Sequence, residues 1–226
     1  MTSLRHIPVL LQETLDTLCP KKGDRVLDVT LGLGGHSAAM LERIEKTGSL
    51  VGLDADSDNL ALARQNLSAF REQITLIHTN FSSLPECLPE DHRAFDVILA
   101  DIGLSSPHLD DPTRGFSFRH IGPLDLRFDR SQGITAAELL METPEEELVN
   151  IFSLYGELTR TKSFVHFLLK ERESHTFETT QDLLEATKKF YGFRAPRVLP
   201  QIFQALRIAV NDELGALKKF LNAAPS

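Results

Sequence analysis

Three glycines stand within four positions of the stretch VLDVTLGLGGHS, which runs from Val26 to Ser37. Each glycine costs chain entropy on folding, so such a cluster indicates a sharp turn or a ligand that approaches bare backbone. β-type residues precede the glycines and a helical pattern follows them, which predicts a strand-to-helix loop. Taken alone, this loop fits a nucleoside site, a nicotinamide dehydrogenase or a tight turn without a ligand.

An acidic residue narrows these alternatives. Asp54 ends the β-type stretch GLDAD, roughly 20 residues beyond the loop, where an acid accepts hydrogen bonds from two ribose hydroxyls. A dinucleotide site would need a further glycine three positions after Gly34, to bring a helix N-terminus onto a pyrophosphate. Ser37 stands there instead. The spacing favours a nucleoside without a pyrophosphate, and S-adenosylmethionine fits, with a nicotinamide cofactor as the disfavoured alternative.

Two further β-type stretches bring functional side chains to their ends. Phe81 follows the third stretch and Asp101 follows the fourth. Ligands in open α/β sheets bind beyond the carboxyl ends of the strands, so we expect both residues near Asp54. Phe81 is interpreted either as an adenine platform or as a core residue. His36, at the predicted start of a helix, is interpreted as a cap or packing residue or as a catalytic group.

The elements that position these residues alternate in the manner of βαβ units. Buried-type strands are predicted at 25–30, 49–56, 74–80 and 94–104, and helices at 8–19, 36–48, 57–70, 135–156, 159–174, 179–192 and 200–224. Strands that alternate with helices indicate a parallel, doubly wound sheet. The segment 105–133 has no clear period, but it is too apolar for disorder. No strand is predicted after residue 104.

Composition limits the class of protein. The chain has 226 residues, 42% of them hydrophobic and 25% charged, as in ordinary globular proteins. A net charge of −8 argues against a general nucleic-acid coat protein. No apolar run is long enough to span a membrane, and the first residues do not read as a signal peptide. Cys19 and Cys87 lie far apart without metal-type spacing, so we expect no metal site and a reducing, cytoplasmic compartment.

Five motifs together carry a family resemblance. They are HIPVLLQE at 6–13, DVTLGLGGHS at 28–37, DIGLSSPHLDDPTRGFSF at 101–118, GPLDLRFD at 122–129 and FQALRIAVNDEL at 203–214. In this order they resemble the MraW/RsmH family, bacterial methyltransferases that act on the N4 amino group of a cytidine in 16S ribosomal RNA of the small subunit. The resemblance implies an α/β fold, a Rossmann-like class I methyltransferase sheet interrupted by a helical insert, with S-adenosylmethionine as cofactor.

The resemblance also implies that two parts of the chain have different functions. Residues 1–108 would bind the cofactor, with 211–226 packing back on them, and 109–210 would form the insert that recognises the substrate. The implied cofactor contacts are Gly34, Gly35, His36, Asp54, Phe81, Asp101 and residue 108, which is typically glutamine in the family and is His108 here.

The chain departs from the family pattern in two places. Residues 197–202 read RVLPQI, where the family usually has a more basic, hydroxyl-bearing segment. The family's chain also continues beyond the equivalent of Ser226 into further strands, so the final sheet strands are expected to be missing. A truncated, non-catalytic relative that binds a nucleoside or RNA therefore stays open as the alternative function, and the oligomeric state is not predicted.

The residues after the fourth strand suggest how the amine could be methylated. A cytosine amine is a poor nucleophile, so the catalyst must hold it in line with the methyl donor. We expect Asp101, or a backbone carbonyl of residues 102–105, to accept a hydrogen bond from the amine, with Ser105 or Ser106 helping.

The loop that follows mixes arginines with phenylalanines. Such a mixture is typical of surfaces that hold phosphates and stack bases, and the predicted RNA-binding residues are Arg114, Phe116, Arg119, Arg127 and Arg130. The alternative is structural: the phenylalanines pack the loop and the arginines pair with Asp110, Asp111, Asp125 and Asp129.

Overall fold

A computed structural model of the chain describes residues 8–88 and 94–224. They divide into two compact units. The first runs to Gly103 and takes up the chain again from Gly215, and the second is Leu104–Leu214. The assignment of cofactor binding to one unit and substrate recognition to the other stays a prediction.

The first unit is built on a parallel sheet of four strands. They are β1 (Arg25–Asp28), β2 (Ser49–Asp54), β3 (Ile74–His78) and β4 (Val97–Leu99), in the order β3-β2-β1-β4. The predicted parallel α/β sheet is confirmed. The fourth strand is shorter than expected, because the backbone N–H of Asp101 donates to Thr30 Oγ1 at 2.7 Å rather than to a neighbouring strand.

Helices cover both faces of this sheet. Over both units, the α-helices of the described residues are, in chain order, α1 (Leu11–Leu18), α2 (Gly35–Ile44), α3 (Ser57–Asn66), α4 (Leu84–Cys87), α5 (Ser106–Asp110), α6 (Ala136–Glu142), α7 (Glu145–Leu154), α8 (Thr161–Arg172), α9 (Thr180–Tyr191), α10 (Ala195–Val210) and α11 (Glu213–Ala223). Val26 points into a core with α1, α2 and α3, while Leu27 packs in a second core with Phe220 of α11. Both strand residues are fully buried, as a sheet covered on two faces requires.

The second unit is helical, and its helices correct two predicted boundaries. The predicted helix 135–156 is divided into α6 and α7 at Pro144, since a proline disfavours helical backbone in the residue before it. The predicted helix 200–224 begins earlier, at Ala195, and is interrupted at Asp212, where φ is 45°. Phe152, Phe164 and Leu206 lie in the core of this unit. Within the described part of the chain, no helix has the length and apolar character needed to cross a membrane.

Candidate nucleoside site

The glycine loop joins β1 to α2 through left-handed backbone. Gly32 has φ 53° and Gly34 has φ 80°, and α2 begins at Gly35. The N–H of Gly34 donates to the carbonyl of Leu31 at 2.8 Å, which closes the turn. Glycine adopts this region without the steric cost that other residues incur, so the turn itself explains two of the three glycines.

Internal packing explains the third glycine. A Cβ atom on Gly35 would lie 2.4 Å from Cγ of Pro8, and one on Gly34 would lie 3.0 Å from the Leu67 side chain. The bare backbone at these positions is therefore needed by the fold itself. The sequence indicated a ligand or a turn as the reason for these glycines, and the contact with Pro8 is a third reason.

Asp54 ties the end of β2 to the glycine loop. Its Oδ2 atom accepts a hydrogen bond from the N–H of Gly32 at 2.7 Å, and its Oδ1 atom accepts one from the N–H of Asp56 at 2.8 Å. These two bonds fix the orientation of a half-buried carboxylate beside the loop. The structure thus brings two predicted elements of the site, the loop and the acid, into direct contact.

A buried acid beneath the loop was not among the predicted site residues. Asp28, at the end of β1, accepts hydrogen bonds from Ser37 Oγ at 2.6 Å and from the N–H of Thr30 at 3.1 Å. Burial raises the pKa of Asp28 from 3.8 to about 6, against the lowering effects of these hydrogen bonds and of His36. The pairing of an acid that ends an apolar strand with a serine in the next helix was the available signal.

His36 and Asp101 lie together at the start of α2. His36 Nδ1 is 3.8 Å from Asp101 Oδ2, and Nε2 is 3.2 Å from the carbonyl oxygen of Val9. The His36 side chain is buried, whereas the Asp101 side chain is 61% exposed. Asp101 therefore presents a carboxylate to solvent from a backbone that Thr30 anchors, and this geometry is compatible with its predicted catalytic role.

Phe81 follows β3 in a short 3-10 turn. Its ring meets that of Phe220 edge to face, with centroids 5.7 Å apart, and it is half-buried. One part of the ring thus belongs to the core and another part is accessible. Both predicted roles of Phe81, core packing and an adenine platform, are compatible with this position.

In the second unit, Ser105 and His108 form the cap of α5. His108 Nδ1 accepts a hydrogen bond from the N–H of Ser105 at 3.2 Å and lies 3.0 Å from Ser105 Oγ. The imidazole is buried, 4.9 Å from the Phe116 ring and 5.1 Å from the Phe128 ring. Ser105 and His108 thus help to cap α5, while Ser106 is the first residue of the helix. The cofactor contact of His108 and the catalytic help of Ser105 or Ser106 stay predictions.

The arginine-rich loop is packed into the second unit around Arg114 and Phe116, as in the structural alternative given above. Arg114 is 4% exposed and Phe116 is 5% exposed. Arg114 donates to the carbonyls of Arg127 and Phe128, both at 3.0 Å. This burial corrects the prediction for Arg114 and Phe116, because neither presents a surface to a phosphate or a base.

Among the other three arginines, Arg127 is paired with an acid at close range. Arg127 makes two hydrogen bonds to Asp125, at 2.7 and 2.9 Å. Although burial raises the pKa of Asp125, the Arg127 hydrogen bonds and charge bring it below its ordinary value. Arg119 and Arg130 are exposed, so the RNA-binding prediction stays with them.

A parallel sheet with a glycine turn, an acid at the end of β2 and another acid after β4 is the arrangement typical of α/β domains that bind nucleosides. Comparison with known proteins is more specific. The chain belongs to the MraW methylase family, whose model matches residues 3–226.

Similar proteins cover almost the whole chain. The ribosomal RNA small subunit methyltransferase H of Symbiobacterium thermophilum is 40% identical over an alignment of 227 residues that covers 98% of this chain and 71% of that protein. The protein of the same name from Heliobacterium mobile is 43% identical over an alignment of 229 residues that covers 97% of this chain and 72% of that protein. Among solved structures, a SAM-dependent O-methyltransferase from Thermotoga maritima matches 37% of this chain and 32% of its own with 22% identity and a TM-score of 0.32.

Proposed function

We propose that this protein transfers a methyl group from S-adenosylmethionine to the N4 amino group of a cytidine in 16S ribosomal RNA of the small subunit. The observation that carries the proposal is the family match over residues 3–226. The relatives' name supports ribosomal RNA as substrate. The methyl transfer would take place in the cytoplasm, where small subunits are assembled.

The charges around the glycine loop favour this cofactor over a dinucleotide. The stretch from Asp28 to Ser37 contains no Lys or Arg, and Asp28, Asp54 and Asp101 surround the loop. A pyrophosphate would meet the carboxylates of Asp54 and Asp101 here, with Asp28 buried beneath the loop, and no cationic side chain of this stretch. S-adenosylmethionine carries a sulfonium and an ammonium group, so the same carboxylates attract it.

The residues present fit the parts of this cofactor. Asp54 would accept hydrogen bonds from the ribose hydroxyls, and the accessible part of Phe81 would contact the adenine. The backbone at Gly34 and Gly35, together with His36, would face the amino-acid tail. When bound, S-adenosylmethionine supplies the electrophilic methyl group of its sulfonium.

Asp101 would prepare the nucleophile. The lone pair of a cytosine amine is delocalised into the ring, so the nitrogen must rehybridise before it can attack. A hydrogen bond from the amine to Asp101 Oδ1 or Oδ2 favours that change, and the same carboxylate can take up the proton that the nitrogen loses. As in the sequence-based prediction, Ser105 or Ser106 would help as a hydroxyl group.

Calorimetric titration with S-adenosylmethionine and, separately, with NAD tests the cofactor assignment. We expect S-adenosylmethionine to bind and NAD not to bind. Asp54→Ala should weaken the binding of S-adenosylmethionine, and circular dichroism should show that this variant is folded. Binding of NAD alone would favour an oxidoreductase. A folded chain that binds neither would favour the non-catalytic relative.

The role of Asp101 is tested at saturating cofactor, so that loss of cofactor binding does not enter. A lost proton acceptor costs about 10²- to 10⁴-fold in rate. We expect such a loss of kcat in Asp101→Ala and Asp101→Asn. If Asp101→Ala keeps the full rate of methyl transfer, the proposed role is wrong.

A further inference from the structure

One long stretch of this acidic chain contains no acid. Residues 186–211 include no Asp or Glu, although the chain has 32 of them among its 226 residues. At that frequency a stretch of this length would hold about four acids. It carries instead the cations Lys188, Lys189, Arg194, Arg197 and Arg207. Local positive charge on a negative protein indicates a surface that meets an anion.

The turn between α9 and α10 exposes an aromatic ring in this stretch. Phe193 is 90% exposed, the highest value for a large apolar side chain among the described residues. Gly192, with φ 58°, reverses the chain just before it. The guanidinium of Arg194 lies 5.6 Å from the centroid of the Phe193 ring. The ring is therefore held in solvent beside a cation.

The segment before α8 adds a further cation to the same surface. Arg160 lies 5.1 Å from the centroid of the Phe190 ring, and Tyr191 donates a hydrogen bond to the carbonyl of Thr159 at 3.1 Å. Phe190 and Tyr191 are the last residues of α9, directly before Gly192 and Phe193. We call this surface the basic tip: Arg160, Lys188, Phe193, Arg194 and Arg197.

The cations of the basic tip are available for an external anion. All four are exposed, and no ion pair to an acid of the protein is found for any of them within the described ranges. Lys189 is different, since its Nζ lies 2.7 Å from Glu171 Oε1. The tip thus combines uncompensated charge with an exposed π-face.

We propose that the basic tip binds single-stranded RNA, with Phe193 stacking on a base and Arg160, Arg194 and Arg197 contacting phosphates. Exposed aromatics fringed by arginines are how proteins bind unpaired nucleotides without reading their sequence. The inference deepens the proposed function, on which it rests: the tip would be a contact for the substrate RNA in the second unit.

A protein or membrane partner fits the tip less well. A partner helix or a membrane surface would bury a continuous apolar helix face. On α10 next to the tip, Val198 is half-buried, and Leu199, Ile202 and Phe203 are buried in the core of their own unit. One isolated ring among cations suits a stacked base better than it suits an apolar groove or acyl chains.

Binding of a polypyrimidine RNA of about 16 nucleotides tests the tip directly. We expect Phe193→Ala to weaken binding by about 5- to 150-fold, the range for one lost stacking contact. The double variant Arg194→Ala/Arg197→Ala should also reduce the dependence of log K on log salt by about 1.4, since each phosphate contact on a single strand contributes about 0.7.

Two variants serve as matched controls. Ile134→Ala removes an exposed apolar side chain of the same unit. Lys170→Ala removes an exposed cation near the other end of α8 from Arg160, about 15 Å along the helix. Both should bind RNA like the wild type. Equal losses in controls and tip variants would overturn the inference, as would wild-type affinity in Phe193→Ala.

Methyl-transfer kinetics separate this inference from the proposed function. If both hold, Phe193→Ala raises the KM for small subunits, while kcat and affinity for S-adenosylmethionine stay unchanged. Absence of methyl transfer by the wild type, with RNA binding that still depends on Phe193, would refute the proposed function and support the tip. Binding to phosphatidylglycerol vesicles that depends on Phe193, without binding to RNA, would overturn the tip as an RNA surface.

Discussion

Neutralising Asp28 should stabilise the protein at neutral pH. Burial raises the pKa of Asp28 to about 6, against 3.8 in an unfolded chain. The folded state therefore holds more protons than the unfolded state between these values, and its stability falls as pH rises from about 4 to about 6. At about 1.36 kcal/mol per pKa unit, the charged carboxylate costs about 3 kcal/mol above pH 7.

Asp28→Asn keeps the shape of the side chain and removes this cost. The amide oxygen can still accept from the N–H of Thr30, and Ser37 Oγ can turn its lone pair to the amide NH₂. The variant should gain about 2.5 kcal/mol more over the wild type at pH 8 than at pH 4, because the unfolded carboxyl is already partly ionised at pH 4. The expected difference lies in the pH dependence, so a constant offset from altered packing does not obscure it.

Urea unfolding from pH 4 to pH 8 measures this difference. Far-ultraviolet circular dichroism reports both units, whereas tyrosine fluorescence reports the second unit, since the chain has two tyrosines, Tyr155 and Tyr191, and no tryptophan. The effect should show in circular dichroism. A difference between Asp28→Asn and wild type that stays constant across this pH range would refute the reasoning about burial.

Two further substitutions test the loop and the second unit. Gly35→Ala would bring a Cβ atom to 2.4 Å from Pro8, so thermal unfolding should show a loss of stability and calorimetry should show a weaker affinity for S-adenosylmethionine. Gly103→Ala is the control, because a Cβ atom there meets nothing within 4 Å. Equal effects of the two substitutions would contradict the packing argument. Arg127→Ala leaves Asp125 as a buried, unpaired charge, so urea unfolding followed by tyrosine fluorescence should show a loss of about 3–5 kcal/mol. Arg119→Ala is the exposed control; a loss below about 1 kcal/mol in Arg127→Ala would show that the pair contributes little.

The sheet could be predicted because its signals are local. Val26, Leu27, Leu50 and Leu53 lie in short apolar runs separated by helical patterns, and the handedness of βαβ connections leaves few ways to arrange them. The helix boundaries were less predictable. Pro144 ends one predicted helix, whereas Pro200 lies inside α10, and only the surrounding packing decides between these outcomes.

The candidate site was predictable where residues follow strands and unpredictable where burial decides. Asp54 and Asp101 lie at strand ends, which a linear pattern reveals. Arg114 reads from the sequence like Arg119, yet one is buried against backbone carbonyls and the other is exposed. The burial of Asp28 could not be predicted for the same reason. In the sequence, an acid at the end of a strand gives the same pattern whether it faces solvent or a serine hydroxyl.

The most direct test of the account is transfer of a labelled methyl group to small ribosomal subunits that lack the modification. The purified chain is incubated with labelled S-adenosylmethionine and these subunits, and the 16S RNA is then digested to nucleosides. The account predicts label in N4-methylcytidine, lost in Asp101→Ala at saturating cofactor. Label in another nucleoside, or no label from a folded chain that binds S-adenosylmethionine, would contradict it.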